Sequence, residues 1–580
     1  MLAGAIVLLI ALIMGSEHVS SRKFRKNYLE KIYQSYGTVS DRVYKEGEME
    51  HIRMYYLKHL SEQVIDDITW NDLNMDHIYR KINVSCSAAG DEYLYYRLRT
   101  PIYDEAQMQH EESQISFFME HEEERHKAQR VLLSLGRMGK YSIYEYLENL
   151  DTLGERRNMK YALSNLLLAA SVGIMFLSLP VGIVALMAVL CHNFVGYFKE
   201  YKQIEPYITS FRYISRLLDS AEQLGRTKID GMEREQERLR ECHKQMRGFI
   251  RNAYLIVFTD KGNGNPLGVV LDYVRMIFYL DLIQFNNALR AVRGHLTEID
   301  EMITVMGQIE TAIVIGSYRS SLQGEYCIPT IHYGQYADRH MEIEQFYHPL
   351  LADPVKNSIT VSGGVLLTGS NASGKSTFLR AVAVNAILAQ TIHTCLAKRY
   401  EAPILRIYSS MALKDDLVGG QSYYMVEIRS IKRIMDQVKL AEAEQCHVLC
   451  FVDEVLRGTN TVERIAASTQ IMKMLAADHA LCFAATHDVE LTKLLEQEYD
   501  NYHFEERIEG NDIFFPYKLM KGPATTRNAI ALLKMLEYDE QITAEAEAMA
   551  ARFLTSGNWQ AGEAKTDFRK EHGFKERLNA

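Results

Sequence analysis

The sequence predicts a two-part chain: a long all-α region that carries membrane-spanning helices, then an α/β domain built on parallel strands. Three observations predict it. Residues 161–198 contain no Asp, Glu, Lys or Arg. Between Pro101 and Pro329 the only prolines are Pro180, Pro206 and Pro266, over segments whose apolar residues recur at helical spacing. From Val365 onward, short apolar runs alternate with helical patterns, as in a sheet with crossover helices.

The 580 residues leave room for about three or four domains. Apolar residues make up 47% of them, enough for sizeable cores. The net charge of −10 argues against a surface coated in basic residues for DNA, although it leaves room for a local basic groove. The eight cysteines form no C-x-x-C pair, so reduced thiols are expected. Cys446-His447-x-x-Cys450 falls on an apolar strand, where successive side chains point to opposite faces, so core packing is expected there and not a metal site.

Leu2 to Met14 is almost wholly apolar, and Arg22, Lys23, Arg25 and Lys26 follow it. The run is short for a span, which needs about 20 residues. Positive charge after the run, with no clear cleavage site, favours a signal anchor with its C-terminal side in the cytoplasm over a cleaved signal. The charge-free stretch from Tyr161 to Phe198 is too long for one ordinary span, and Ser178-Leu179-Pro180-Val181-Gly182 at its middle suits a tight turn between two short helices. Arg156, Arg157 and Lys160 precede it, while Lys199 and Lys202 follow. Basic residues on both sides place both ends in the cytoplasm, which fits a hairpin and not a single pass. The competing reading is a buried helical hairpin in a soluble core. Around the hairpin, Val43–Leu60, Asp104–Leu150 and Glu200–Gly248 carry helical spacing, and Leu267–Tyr318 reads as one or two long helices. The basic group Arg290, Arg293 and His295 reads as a solvated helix face before a phosphate contact.

Val365-Leu366-Leu367-Thr368 reads as a buried strand, and Phe378 to Gln390 as a helix. Between them lies Gly369-Ser370-Asn371-Ala372-Ser373-Gly374-Lys375-Ser376-Thr377. Strand, G-x-x-x-x-G-K-S loop and helix in this order make a P-loop. Its glycines let backbone N–H groups curl around phosphates at a helix N-terminus. Lys375 would reach the β- and γ-phosphates, and the Ser376 hydroxyl would ligate Mg²⁺. A second apolar strand, Val448–Val452, ends in Asp453-Glu454, the Walker B pattern. Asp453 would hold Mg²⁺ and Glu454 would orient or deprotonate the attacking water. A third, Leu481–Ala485, ends in Thr486-His487, which places a histidine where it can sense the γ-phosphate. The expected cofactors are ATP and Mg²⁺.

These pieces together resemble the MutS family of DNA mismatch-repair ATPases. The resemblance rests on His348-Pro349-Leu350-Leu351, the P-loop, Asp415-Asp416-Leu417 with Gly420-Gln421-Ser422 and Met425-Val426-Glu427, Asp453-Glu454 with Arg457-Gly458-Thr459, Ala485-Thr486-His487, and Gly522 onward with Ala529. Leu73-Asn74-Met75-Asp76 and Tyr93–Pro101 are similar to the family's core and lever region. The resemblance implies an α/β P-loop NTPase domain of ABC/MutS type behind an all-α core and lever region with transmembrane helices. It also implies a homodimer with composite ATP sites, in which Ser422 of one subunit completes the site of the other. Asn371 would contact the nucleotide, and His348 and Pro349 would lie near the adenine. The expected division is a signal anchor over 1–15, a cytoplasmic helical core over 16–160, a transmembrane hairpin over 161–198, core and lever over 199–325, the ATPase domain over 326–555 and a polar tail over 556–580.

Departures from the family pattern shape the functional expectation. A membrane segment stands where the family carries its mismatch reader with a Phe-x-Glu wedge, and the family's clamp is missing. Phe118-Met119-Glu120 and Phe504-Glu505-Glu506 match the wedge spelling, but in the wrong domains. Tyr423-Tyr424 replace the usual Thr-Phe after Ser422. The leading expectation is a multi-pass cell-membrane ATPase, its ATPase domain cytoplasmic, acting on DNA. The alternative is an ATP-driven mechanical protein acting on membrane or protein partners. Leu417-Val418-Gly419-Gly420-Gln421 resembles a transporter signature, but three short membrane segments make a poor translocation path.

Overall fold

The computed structural model describes residues 27, 29–139, 141–249, 273–334, 339–370, 373–411, 423–457, 459–509, 512–524, 530, 533–534, 536–556 and 559. The anchor expected over 1–15 and nearly all of the tail expected over 556–580 lie outside them. In the helical region the short helices Asp67–Asp72 and Met75–Ile82 precede α1 (Ala88–Arg99), α2 (Glu105–Glu120) and α3 (Glu122–Leu135). Then come α4 (Met159–Leu177), α5 (Leu179–Arg226), α6 (Glu233–Gln245), α7 (Leu280–Arg293) and α8 (Leu296–Ser321). Local chemistry starts several of them: the Asp66, Ser87 and Asp104 side chains accept N–H groups of the first turn as N-caps. Val43–Leu60 gives only two five-residue helices, Glu48–Ile52 and Met54–Lys58.

The apolar stretch forms two antiparallel helices that break at Ser178, whose backbone is extended. Gly182 is required there, because a Cβ would fall 2.5 Å from the Met175 Cα and 2.6 Å from its nitrogen. The second helix departs from the expected short leg. It runs for 48 residues through the charged segment after Phe198, even with Pro206 inside it. Beyond Phe198, Ile204, Phe211, Ile214, Leu217 and Leu218 supply a buried stripe that keeps the chain helical against the core. Both helices are long and apolar enough to cross a membrane by length and composition, and only 22% and 11% of their apolar windows are buried within the chain. Leu163, Leu166, Phe176, Val181 and Val184 are exposed, so among the described residues the hairpin is not buried in the chain's own core. Inside the pair, Ser164 donates to Asn193, whose amide donates to the Ile277 carbonyl at 2.9 Å. Arg293 of the basic group donates to the Leu150 and Gly154 carbonyls, so it serves the helical core.

The C-terminal domain contains β1 (Thr330–His332), β2 (Met341–Phe346), β3 (Asn357–Val361), β4 (Gly364–Thr368), α9 (Lys375–Thr391), β5 (Arg399–Pro403), β6 (Leu405–Ser410), α10 (Tyr423–Glu444), β7 (His447–Asp453) and α11 (Thr461–Leu475). It continues with β8 (Ala480–Ala485), α12 (Val489–Leu494), β9 (Tyr499–Phe504), β10 (Arg507–Glu509), β11 (Asp512–Phe514), β12 (Leu519–Lys521) and α13 (Glu540–Ser556). The six-stranded sheet has the order β12-β9-β4-β8-β7-β6, parallel except for β12. Strands β4 and β8 are buried at every position, as expected where helices cover both faces. Alternate residues of β7 and β8 divide between two cores: Leu449, Phe451, Leu481 and Phe483 face one, while Cys450 and Cys482 face the other. All eight cysteines are free thiols. A second, four-stranded sheet, β1-β5-β2-β3, lies outside the expected parallel pattern.

The two regions share one continuous apolar core and a half-buried ionic joint. Arg319 of α8 grips Glu112 of α2 through two bonds of 2.7 Å, and the His393 ring lies 2.8 Å from the same carboxylate. Burial alone would raise the Glu112 pKa, but the Arg319 and His393 contacts outweigh it and hold it at about 2. A depressed carboxylate stabilises the fold above its unfolded value near 4.5 and loses that contribution as the pH falls toward 2. Acid unfolding should therefore steepen across this window. Glu112→Gln should flatten that limb and lower stability at neutral pH by on the order of 3 kcal/mol, read from thermal midpoints against pH.

Candidate nucleotide site

The site forms where β4, β7 and β8 end. Leu367 lies opposite Ala485, and Ala485 opposite Asp453, so the three strands stop at one level. Beyond β4 the chain turns sharply at Gly369 (φ 138°) and Gly374 (φ 104°). Side chains at either would collide, with the Phe504 carbonyl at 2.8 Å and with the Tyr517 ring at 2.9 Å. Ser373 closes the loop by donating its N–H and hydroxyl to the Ser370 carbonyl at 3.2 and 2.8 Å. Ser370 itself donates to Glu506. The buried Lys375 ammonium sits inside the loop, donating to the Gly369 and Ser370 carbonyls at 2.7 and 2.8 Å. Burial lowers its pKa, against the pull of Asp453, Glu454 and Glu506.

Ser376 donates to the Asp453 carboxylate at 2.6 Å, so two hard oxygen donors meet at one point beside the lysine. Among the described residues no group of three or more His, Cys, Asp or Glu side chains could hold a metal. A hydroxyl and one carboxylate nevertheless match how Mg²⁺ binds when phosphates complete its shell. Glu454 follows with a left-handed backbone (φ 56°), as does Leu456 (φ 58°), a conformation uncommon outside glycine. The Glu454 N–H bonds the Ala485 carbonyl at 2.9 Å, and buried Glu427 of α10 accepts the N–H groups of Leu456 and Arg457. His487 Nε2 lies 2.9 Å from the Glu454 carboxylate, and the Arg457 Nε also lies 2.9 Å from it. The His487 bond is the main influence that lowers the Glu454 pKa, ahead of burial, which opposes it.

Beside the loop opens a cavity of about 370 Å³ lined by Phe346, His348, Leu351, Val355, Tyr517 and, toward the loop, Gly374, Ser376 and Thr377. His348 Nδ1 accepts the Leu350 N–H at 3.2 Å. Burial, then Arg380 and Lys81, lowers its pKa to about 4, so the ring is neutral near pH 7 with Nε2 carrying the proton. The structure thus gathers Gly369, Ser370, Ser373, Gly374, Lys375, Ser376, Thr377, Asp453, Glu454 and His487, with His348 on the wall of the adjoining cavity. Asn371, Ala372 and Ser422 lie outside the described residues, as do Asp415–Gln421, Gly458 and Ala529.

A family model described as MutS domain V matches residues 365–554. Residues 365–554 therefore carry a MutS-type domain V. It is 33% identical over 227 residues to the DNA mismatch repair protein MutS of Thermus aquaticus, covering 38% of this chain and 27% of that protein. The MutS of Natronomonas pharaonis is 27% identical over 296 residues, 50% of this chain and 33% of its own. That of Clostridium kluyveri is 27% identical over 289 residues, 47% of this chain and 32% of its own. The chain therefore spans about a quarter to a third of the length of the curated relatives it matches. The two Phe-x-Glu stretches of this chain cannot serve as an exposed wedge, because Phe118 and Phe504 are buried. Sequence reading missed Tyr517, Glu506 and Arg380, and gave Glu427 no role. Only Met425-Val426-Glu427 and the aromatic Phe515-Pro516-Tyr517 offered a signal.

Proposed function

We propose that this chain is a MutS-family ATPase held in the cell membrane by its apolar hairpin, with the ATPase domain in the cytoplasm. The observation that carries the reading is the convergence of Lys375, Ser376, Asp453, Glu454 and His487 at the strand ends, beside a base-sized cavity. The backbone of Gly369–Thr377 and the Lys375 ammonium would bind the phosphates, and Lys375 would exchange its loop carbonyls for phosphate oxygens. Ser376 and Asp453 would hold Mg²⁺, which when bound supplies neutralisation of phosphate charge. Glu454, ionised and oriented by His487, would align the water and take its proton. Tyr517 and His348, which line that cavity, would stack on and hydrogen-bond the base.

By the family resemblance, the chain works as a homodimer in which Ser422 reaches the partner's site. The reading extends to DNA transactions of the mismatch-repair kind. The net charge of −10 and the internal engagement of Arg293 favour the second reading, a mechanical ATPase acting on membrane or protein partners. The membrane part rests on the exposed apolar surface of α4 and α5 and on their length. At ~1.5 Å per residue α4 is about 28 Å long, close to the ~30 Å hydrocarbon layer. Arg156 and Lys160 gather around Glu200 at the foot of the hairpin, where a charged collar would meet the headgroups.

One titration separates the two readings: ATP turnover of the detergent-solubilised protein against homoduplex, mismatched and branched DNA at a fixed moderate salt. Saturable stimulation is the expected result for the DNA reading. A flat response with active basal turnover and no DNA binding would transfer the proposal to a membrane or protein partner.

A further inference from the structure

Strand β6 ends the parallel sheet opposite β12, and an open edge leaves backbone N–H and C=O groups unpaired. Here the helical region covers the end of that edge. The Thr69 hydroxyl accepts the Ser409 N–H at 3.1 Å. The Asp72 carboxylate accepts the Ser409 hydroxyl at 2.7 Å and the Met411 N–H at 2.8 Å. Arg433 of α10 ties the same point, donating to the Ser409 carbonyl at 2.6 Å and to Asp66, the residue that caps the Asp67–Asp72 helix. Asp72 also uses its main chain: its carbonyl accepts from Arg380 Nε at 3.0 Å, on the helix that Lys375 opens. One buried aspartate of the helical region thus holds both the end of β6 and an arginine of α9.

The end of β6 is in register with the catalytic end of β7. Ser410 lies opposite Val452, the residue before Asp453-Glu454. A carboxylate buried to 3% exposure is unfavourable unless its bonds are made, and these bonds fix one placement of β6 against the helices. We propose that Asp72 is a positioning residue for hydrolysis: through Ser409 and Met411 the helical region sets the alignment of Asp453 and Glu454. The inference rests on the ATPase reading given above. The loop that binds phosphate follows β4, which β8 and β7 separate from β6, so loss of the Asp72 carboxylate acts on turnover and not on nucleotide affinity.

The experiment uses the full chain in detergent and compares Asp72→Ala, Asp72→Asn and Ser409→Ala with wild type, taking Glu454→Gln as the floor of activity. Each variant is measured for kcat, for affinity toward a non-hydrolysable ATP analogue, and for thermal midpoint. Asp72→Ala should lower kcat about tenfold or more with analogue affinity held within about threefold, since small misalignments of reacting groups carry penalties of this size. Asp72→Asn, which keeps an acceptor oxygen, should restore most of the turnover, and Ser409→Ala should fall between. If Asp72→Ala does not fold, Ser409→Ala decides: reduced kcat at unchanged affinity supports the inference, and wild-type kcat overturns it. Loss of affinity and kcat together with a lower thermal midpoint would show a merely structural joint and overturn it too. A wild-type chain no more active than Glu454→Gln would overturn the ATPase reading itself. Normal wild-type turnover with an unaltered Asp72→Ala would overturn this inference alone.

Discussion

Glu454→Gln should cut ATP turnover by about 10²-fold or more while ATP still binds. The substitution preserves side-chain size and removes the ability to take a proton. It leaves untouched the groups that would hold phosphate, because Lys375 and the Gly369–Thr377 backbone belong to the loop after β4 and the start of α9, while Glu454 follows β7. The glutamate is fixed from three sides. Its backbone is left-handed, its N–H is tied to Ala485, and its carboxylate is flanked by His487 and Arg457. The His487 bond keeps it ionised, so the base form is present throughout the neutral range. Steady-state hydrolysis beside equilibrium ATP binding reads both halves of the expectation. Turnover equal to wild type would remove Glu454 from the reaction.

The second large effect concerns the hairpin. Leu167 and Met187, on opposite legs, are 51% and 57% exposed within the chain. Replacing both with lysine should release the protein from membranes, because each lysine at mid-span costs about 2.5–3.5 kcal/mol on insertion scales. Flotation with liposomes, or extraction of membranes at alkaline pH, would read the change. Neither residue touches the nucleotide site, so ATP binding should survive. Wild-type protein found in the soluble fraction would remove the membrane reading, and a lysine pair that still floats would place these faces away from lipid.

Much of the α/β domain was legible in the residues because its signals are local. A strand, two glycines, a lysine and a helix specify the loop within one short stretch, and Val448–Val452 and Leu481–Ala485 announce themselves as buried parallel strands. The hairpin was legible from missing charge alone. Its second helix was misjudged because charge after Phe198 suggested an end, whereas burial of Phe211, Ile214 and Leu217 against the helical core carries the helix on. The four-stranded sheet escaped notice because its strands are short and their pattern is mixed, so pairing and not periodicity defines them.

By itself the sequence determined which residues are proposed to carry the chemistry: Lys375, Ser376, Asp453, Glu454 and His487, each at or just past the end of a strand or at the start of a helix. Only the tertiary structure decided what surrounds them. Tyr517 reaches the cavity, Glu427 holds the turn after Glu454, and Asp72 reaches Ser409 across 337 residues. Such contacts join segments far apart in the chain through single hydrogen bonds, and they leave no periodic trace in the sequence. They are set by how the sheet and the helical region pack, and that is fixed only when the whole core is buried at once.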